Sequence, residues 1–274
     1  MGTDKVKNSK KKRIPKLPVI LGVFVLLFLI ALAVVFNAPF FSIKTIEVDE
    51  LRHYSHDDIA AYLDSYVGTN GFKAVFKNSS LKQTRSIFSL ELVEEEKRIM
   101  FDCTYLENVR VKYVPGGKLK VTAEERRESF LTEYYDTYLL CDTHGIVLET
   151  FSKENLPEGM PLVKGITPGG FKLGSGISDG KDKNIDTAIR ICALMTQLQM
   201  EGYIDIADVS DYNNIYLYCA PSLTIKMGGP DDLGIKLSML KGVMDKGVNG
   251  ESNGTLTVAD GKQATFVKNG EREE

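Results

Sequence analysis

The chain has 274 residues, of which 43% are hydrophobic and 26% are charged, with a formal net charge of -3. This composition is typical of a folded protein, and it lacks the basic excess that nucleic-acid binding would require. The four cysteines, Cys103, Cys141, Cys192 and Cys219, lie far apart and form neither a CxxC pair nor a zinc-ligand spacing. An even number permits disulfides outside the cell, but each cysteine lies in an apolar stretch, so we interpret all four as free buried thiols.

One uninterrupted apolar run, LPVILGVFVLLFLIALAVVF, occupies residues 17–36. About 20 helical residues span the hydrocarbon core of a bilayer, so the run predicts a membrane-spanning helix. The basic residues before it favour a cytoplasmic N-terminal tail, residues 1–16, with the remaining chain outside the membrane. These basic residues are Lys5, Lys7, Lys10, Lys11, Lys12, Arg13 and Lys16. A cleaved signal peptide is the alternative, since Ala31-Leu32-Ala33 resembles a cleavage site, but its apolar region would span only roughly 7–15 residues.

The sequence pattern of residues 40–124 predicts a small α+β domain. The stretch FFSIKTIEV at 40–48 favours a strand, and Ser55 with Asp58 forms the pattern of a capping box for a helix that ends at Gly68. Residues 69–86 are irregular and are interpreted as a loop, and a second helix is expected at 90–101. Alternating apolar residues on both sides of the turn at 115–117 then predict a hairpin. We therefore expect a three-stranded sheet with two helices on one face.

The sequence pattern of residues 125–267 predicts a second domain, a mixed β-sheet covered by helices. Its expected elements are a hairpin at 138–149, a short strand at 162–163, a Gly-rich connection at 168–180, a helix at 183–201 capped by Gly202, strands at 203–209, 214–219 and 222–227, a helix after 228–232, and two short strands at 255–258 and 264–267. Residues 268–274 form a charged tail. The fold class is therefore α+β behind a single N-terminal membrane helix.

Groups with the composition of a reactive site occur in three places, and each has a simpler structural interpretation. The string Ser55-His56-Asp57 suggests a triad, but catalytic triads converge in space rather than in sequence, and capping explains Ser55. His53 and His56 lack further metal ligands nearby. The pair Asp231-Asp232 complements a helix N-terminus, and Gly228-Gly229 before it lacks a nucleotide-binding pattern. We expect no catalytic, cofactor-binding or metal site, and no small-molecule substrate.

In order along the chain, these features resemble the FtsQ/DivIB family of bacterial cell-division proteins. The Ser55-capped helix resembles the start of a POTRA domain. The other segments that carry the resemblance are FSIKTIEV after the anchor, NVRVKYVPGGKLKVTAEER, YLLCDTHGIVLE, LPEGMPLVKGI and NNIYLYCAPSLTIKMGGPDDLGIKLSMLKGVM. Residues 69–86 depart from the family pattern, where they resemble an insertion. The Asp49-Glu50 pair also replaces the glycine that usually follows the first POTRA strand.

The resemblance implies a non-enzymatic scaffold of the divisome at the division septum. Such a protein would bind small single-pass proteins of the FtsL and FtsB (DivIC) type and help license septal peptidoglycan synthesis. Two other functions stay open: a POTRA-containing component of envelope assembly or secretion, and an anchored extracytoplasmic enzyme acting on the cell wall.

The partner surface is expected at the last two strands, because a final strand often lies at a sheet edge and can accept another strand. The residues predicted to contact the partner are Thr255, Leu256, Thr257, Val258, Phe266 and Val267. The alternative is that their apolar members only complete the core.

Overall fold

The computed structural model describes residues 16–78 and 89–270. The predicted basic tail up to residue 15, positions 79–86 of the predicted loop and the last four residues lie outside these ranges. Helix α1 spans Lys16–Asn37, close to the predicted 17–36. Among the described residues it is the one helix long and apolar enough to cross a membrane. Its side chains are exposed from Ile20 to Val34, and only Val35 and Phe36 in the last turn are partly buried.

The chain divides into two compact units. The first comprises residues 1–50, 54–96 and 110–122, and the second comprises 51–53, 97–109 and 123–274. The domain boundaries at 124 and 267 expected from the sequence stay a prediction.

The predicted three-stranded sheet is present, in the order β1-β3-β2. Its strands are β1 Thr45–Val48, β2 Leu106–Val114 and β3 Lys118–Glu125. β1 pairs with β3 in parallel, with Thr45 opposite Lys118. β1 is shorter than predicted because Pro39–Phe41 forms a 3-10 turn, in which proline occupies the first position that it tolerates well.

Within the described residues, three α-helices lie between the first strand and the second, where two were predicted. Helix α2 spans His56–Ala60, helix α3 Gly71–Asn78 and helix α4 Val93–Asp102. The Ser55–Asp58 capping box is confirmed, but α2 ends early and the chain continues as a turn and a 3-10 helix at Asp64–Tyr66. The prediction of a loop throughout 69–86 was wrong for α3, whose buried face consists of Gly71, Ala74, Val75 and Asn78.

The second unit contains a nine-stranded sheet in the order β12-β11-β10-β9-β8-β7-β4-β5-β6. The strands are β4 Glu128–Tyr134, β5 Thr137–Asp142, β6 Val147–Phe151, β7 Leu162–Lys164, β8 Ile206–Asp208, β9 Ile215–Cys219, β10 Leu223–Gly228, β11 Gly254–Thr257 and β12 Thr265–Lys268. The predicted hairpin is β5–β6, which pairs antiparallel. β4 was not predicted.

Helices α5, Lys183–Gln197, and α6, Leu233–Met244, pack their buried residues with one face of this sheet. α5 is shorter than predicted, because Leu198 is its C-cap and Gly202 lies beyond it. The opposite face carries a small apolar cluster around Leu131, Tyr138 and Leu140. Farther along the sheet, towards β12, that opposite face is only partly buried.

Candidate partner-binding edge

β12 forms one edge of the nine-stranded sheet, with β11 as its neighbour. The two strands are antiparallel, with Thr255 opposite Val267, and the Asn269 N–H donates to the Asn253 carbonyl at 3.1 Å. Hydrogen-bonded and non-hydrogen-bonded pairs alternate along an antiparallel ladder, so Thr265 and Val267 also bond towards β11. The N–H and C=O groups of the alternate residues, Phe266 and Lys268, therefore point away from the sheet.

The ring of Phe266 holds β12 against its neighbour. A Cβ at Gly254 would lie 2.6 Å from Cζ of Phe266 and 2.5 Å from the Val267 carbonyl oxygen, so the ring occupies the space that this glycine leaves free. Because directly opposite residues share a face, Phe266 lies on the same face as the buried Leu256. The ring is nevertheless 40% exposed, because no further strand covers it.

The other edge of the sheet, β6, is closed by the chain itself. The Val147 N–H donates to the Ser175 carbonyl at 3.0 Å, and the Gly174 N–H donates to the Val147 carbonyl at 2.8 Å. The Thr104 hydroxyl donates to the Leu148 carbonyl at 2.7 Å. Among the described residues no comparable segment lies along the outer side of β12. The β12 edge can therefore accept a further strand, whereas the β6 edge is already covered.

The structure separates the six predicted contact residues into two groups. Thr255, Leu256 and Thr257 lie in β11, which has β10 on one side and β12 on the other, and Val258 follows directly. Leu256 and Val258 are 1% and 0% exposed, so they complete the core and are not available to a partner. Phe266 and Val267 lie on the edge strand itself.

Lys268 is an edge residue that the sequence analysis placed in the charged tail. It belongs to β12, it is exposed, and its backbone groups point outward with those of Phe266. The run of charged residues after it concealed the end of the strand. Phe266 and Val267 are both apolar and no apolar side chain follows them, so no apolar alternation marks Lys268 as part of the strand.

The partly exposed face next to this edge is polar and aromatic. Tyr216 and Tyr218 of β9 stack with ring centroids 6.4 Å apart, and Thr224 and Thr255 continue the same face towards β12. Burial raises the pKa of Tyr218, with Asp208 and Tyr216 adding to the shift, so its hydroxyl stays neutral at physiological pH. A strand added to β12 would extend this hydroxyl-bearing face.

The structure does not assemble the suggested triad. The Ser55 hydroxyl donates to the Asp58 carboxylate at 2.7 Å, whereas the ring nitrogens of His56 lie 3.1 Å from the Asp57 carboxylate and 3.2 Å from the Ile46 carbonyl. The bond to Asp57, followed by the Ile46 contact, raises the pKa of His56. His56 is thus bonded to groups other than the serine that a triad would need.

His53 has structural partners, whereas the acidic pair Asp231-Asp232 lies at the start of α6. The Nδ1 atom of His53 lies 3.1 Å from Glu125, its Nε2 atom lies 3.4 Å from Glu128, and its ring stacks on Tyr105 at 4.0 Å. Asp232 is the N-cap residue of α6, although its side chain forms no capping bond. Within residues 16–78 and 89–270, no group of three or more His, Cys, Asp or Glu residues is placed to hold a metal ion.

All four cysteines are buried thiols outside any disulfide, as expected from their apolar surroundings. Burial, reinforced by the nearby Asp205, raises the pKa of the Cys219 thiol to about 12, and its Sγ atom donates to the Tyr203 carbonyl at 2.8 Å. Burial also raises the pKa of Cys141 and Cys192. Thiols held in this form are poor nucleophiles.

One curated relative relates this architecture to known proteins. The chain is 24% identical over 249 residues to the cell division protein DivIB of Clostridium tetani, a match that covers 89% of this chain and 86% of the relative. The chain resembles the FtsQ/DivIB family. The match spans nearly the whole chain, as did the resemblance read from the order of the sequence features. No family model matches the chain.

Proposed function

We propose that the protein is a bitopic, non-enzymatic scaffold of the bacterial divisome, which binds another division protein at the outer edge of β12. The observation that carries this proposal is the outward-facing backbone of Phe266 and Lys268, on a chain similar along most of its length to a cell division protein. α1 anchors the scaffold in the cell membrane, with residues 1–16 in the cytoplasm and the chain after Phe36 outside.

The partner would be a small single-pass division protein of the FtsL or FtsB (DivIC) type. An incoming strand can form backbone hydrogen bonds with Phe266 and Lys268, and its alternate side chains would contact the exposed ring of Phe266 on one face and Val267 on the other. Through this contact the protein would help license septal peptidoglycan synthesis at the division septum.

The edge can be tested by replacing Lys268 with proline in the full chain. The outward N–H of Lys268 is not used within the sheet, so Lys268→Pro removes a donor from the partner and places a ring at the free edge while the β11–β12 ladder is retained. We expect co-purification of the partner to fall by about tenfold or more, the effect of losing roughly 1.4 kcal/mol of binding free energy.

Lys268→Ala is the matched control, because it removes the same side chain but keeps the N–H group. It should retain most of the binding, and both variants should have the same unfolding midpoint as the unchanged protein. If folded Lys268→Pro binds the partner as well as Lys268→Ala does, β12 is not the binding edge.

The two other candidate functions are separated from this one by localisation and depletion. A fluorescent fusion of a divisome scaffold should concentrate at the septum of dividing cells, and depletion should impair division. A dispersed fusion with normal division would favour a component of envelope assembly or secretion. A cell-wall enzyme would instead require the purified protein to cleave or modify peptidoglycan.

A further inference from the structure

Helix α3 presents a small face with one aromatic and two basic side chains. Lys73, Phe76 and Lys77 are exposed, and their spacing of three and four residues places them on the same side of the helix. The Phe76 side chain is 63% exposed although the opposite side of α3 is buried. This face therefore combines an exposed aromatic ring with two cationic side chains.

The ring of Phe76 contacts the last turn of α1. Its centroid lies 6.2 Å from that of Phe36 in an edge-to-face arrangement. The hydrophobic 18-residue stretch Ile20–Asn37 extends over about 27 Å at the helical rise, which is close to the thickness of a bilayer's hydrocarbon core. Phe36 therefore lies where the hydrocarbon ends, and Phe76 lies at nearly the same depth.

Asn70 fastens the start of α3 to the end of α1. Its Oδ1 atom accepts from the N–H groups of Phe72 at 3.0 Å and Lys73 at 3.3 Å, as an N-cap does. Its Nδ2 atom donates to the Val35 carbonyl at 2.9 Å, one of the carbonyls left without a partner within the helix at its C-terminus. The Lys73 ammonium donates to the Asn37 side chain at 3.0 Å, close to the same negative end of the helix dipole.

We infer that α3 lies in the headgroup layer of the membrane, with Phe76 inserted at the boundary of the hydrocarbon and Lys73 and Lys77 directed to lipid phosphates. This inference rests on the proposed anchoring by α1. Aromatic side chains concentrate at this depth, and lysines extend their charged ends towards anionic headgroups there. Phe40 fits the same layer, because it is 67% exposed and lies just after the end of α1.

The chain contains no tryptophan, so a single introduced tryptophan is an unambiguous probe of depth. Three variants of the full chain would be reconstituted in vesicles of phosphatidylcholine and phosphatidylglycerol: Phe76→Trp at the proposed site, Phe28→Trp in the middle of α1, and Asp57→Trp in α2. The Asp57 side chain is 99% exposed, so it serves as the site facing water. Quenching would be measured with lipids that carry a spin label either near the headgroup or near the end of the acyl chain.

We expect the Phe76→Trp variant to lose fluorescence intensity mainly with the shallow label and to emit at a shorter wavelength than in water. The Phe28→Trp variant should respond mainly to the deep label, and the Asp57→Trp variant to neither. Adding Asn70→Asp to Phe76→Trp keeps the cap of α3 but removes the donor to Val35, so the shallow quenching should decrease.

Each failure has a separate meaning. If the Phe28→Trp variant is not quenched by the deep label, the proposed anchor is wrong. If Phe28→Trp is quenched and Phe76→Trp is not, the anchor stands and the placement of α3 is overturned. Equal shallow quenching at positions 57 and 76 would also overturn it, because the membrane would then contact more of the protein than the face defined by Lys73, Phe76 and Lys77.

Discussion

A methyl group at position 71 should displace α3 from the sheet of the first unit. The Cβ of an alanine there would lie 2.1 Å from Cε2 of Tyr113 and 2.3 Å from Cδ2 and Cζ. Carbon atoms in contact prefer about 3.5–4.0 Å, so the ring or the helix would have to move by about 1.5 Å. The ring resists this movement, because Tyr113 is fully buried and its hydroxyl donates to the Phe41 carbonyl at 2.9 Å.

The expected cost of Gly71→Ala is about 1–3 kcal/mol, the usual range for overpacking in a core. The helix-forming advantage of alanine over glycine, at most about 1 kcal/mol, offsets little of it because Gly71 is the first residue of α3. Gly242→Ala is the matched control: Gly242 lies within α6, and its Cβ would meet no atom within 4 Å. That change should be neutral or stabilise α6 by up to about 1 kcal/mol.

Hydrogen exchange of the full chain in detergent can localise the effect. In Gly71→Ala the amides of α3 and of β2, the strand that carries Tyr113, should lose protection by about 10- to 100-fold, since about 1.4 kcal/mol corresponds to a tenfold change. Gly242→Ala should leave those amides unchanged. If Gly71→Ala exchanges like the unchanged protein in α3 and β2, the Tyr113 ring has room to move and the expected clash does not occur.

Two further changes test contacts close to the start of α2. Ser55→Ala should lower the stability of the first unit by about 1 kcal/mol through loss of the N-cap, measured by urea unfolding, and should leave partner co-purification intact; a folded variant that fails to bind would contradict a purely structural role. Burial raises the pKa of Glu125, but bonds from the Arg52 and His53 N–H groups and from the His53 ring outweigh it, so the pKa lies below its usual value. The stability from Glu125 is thus present above the pKa of the unfolded chain and is lost as the pH falls through the lower folded value. Glu125→Gln should therefore reduce the urea midpoint at pH 7, and the difference should close as the pH falls through the lowered pKa of the folded state; a difference that grows in acid would refute this assignment.

Elements with a regular apolar period could be predicted from the sequence, and those without one could not. The β2–β3 hairpin alternates cleanly and was predicted, as was α5. α3 was missed because two of its four buried residues are Gly71 and Asn78, which do not register as an apolar face. β4 was missed because Phe130, Leu131 and Thr132 are all buried, so a strand covered on both sides shows no alternation.

The candidate edge could be predicted only in part. Chain order correctly suggested that the last strand lies at an edge, but it could not place β11, which pairs in parallel with β10 after the chain has passed through α6. This crossover puts Leu256 and Val258 inside the sheet. Pairing partners depend on contacts between distant segments, so the distinction between β11 and β12 was not available from local patterns.

The difference between the two edges of the nine-stranded sheet is the main reason to seek a partner at β12. An unpaired edge invites association, and proteins commonly cover it or place lysine on it. The outer side of β6 is covered by Gly174 and Ser175. On β12 the Phe266 ring packs against Gly254 of the neighbouring strand, and the Lys268 side chain is exposed. A second copy of the chain would bring a like charge to the same short strand, which disfavours self-association. A partner strand with an acidic side chain opposite Lys268 would complete both the backbone ladder and the charge pair, so this edge is better suited to a different protein than to another copy of itself.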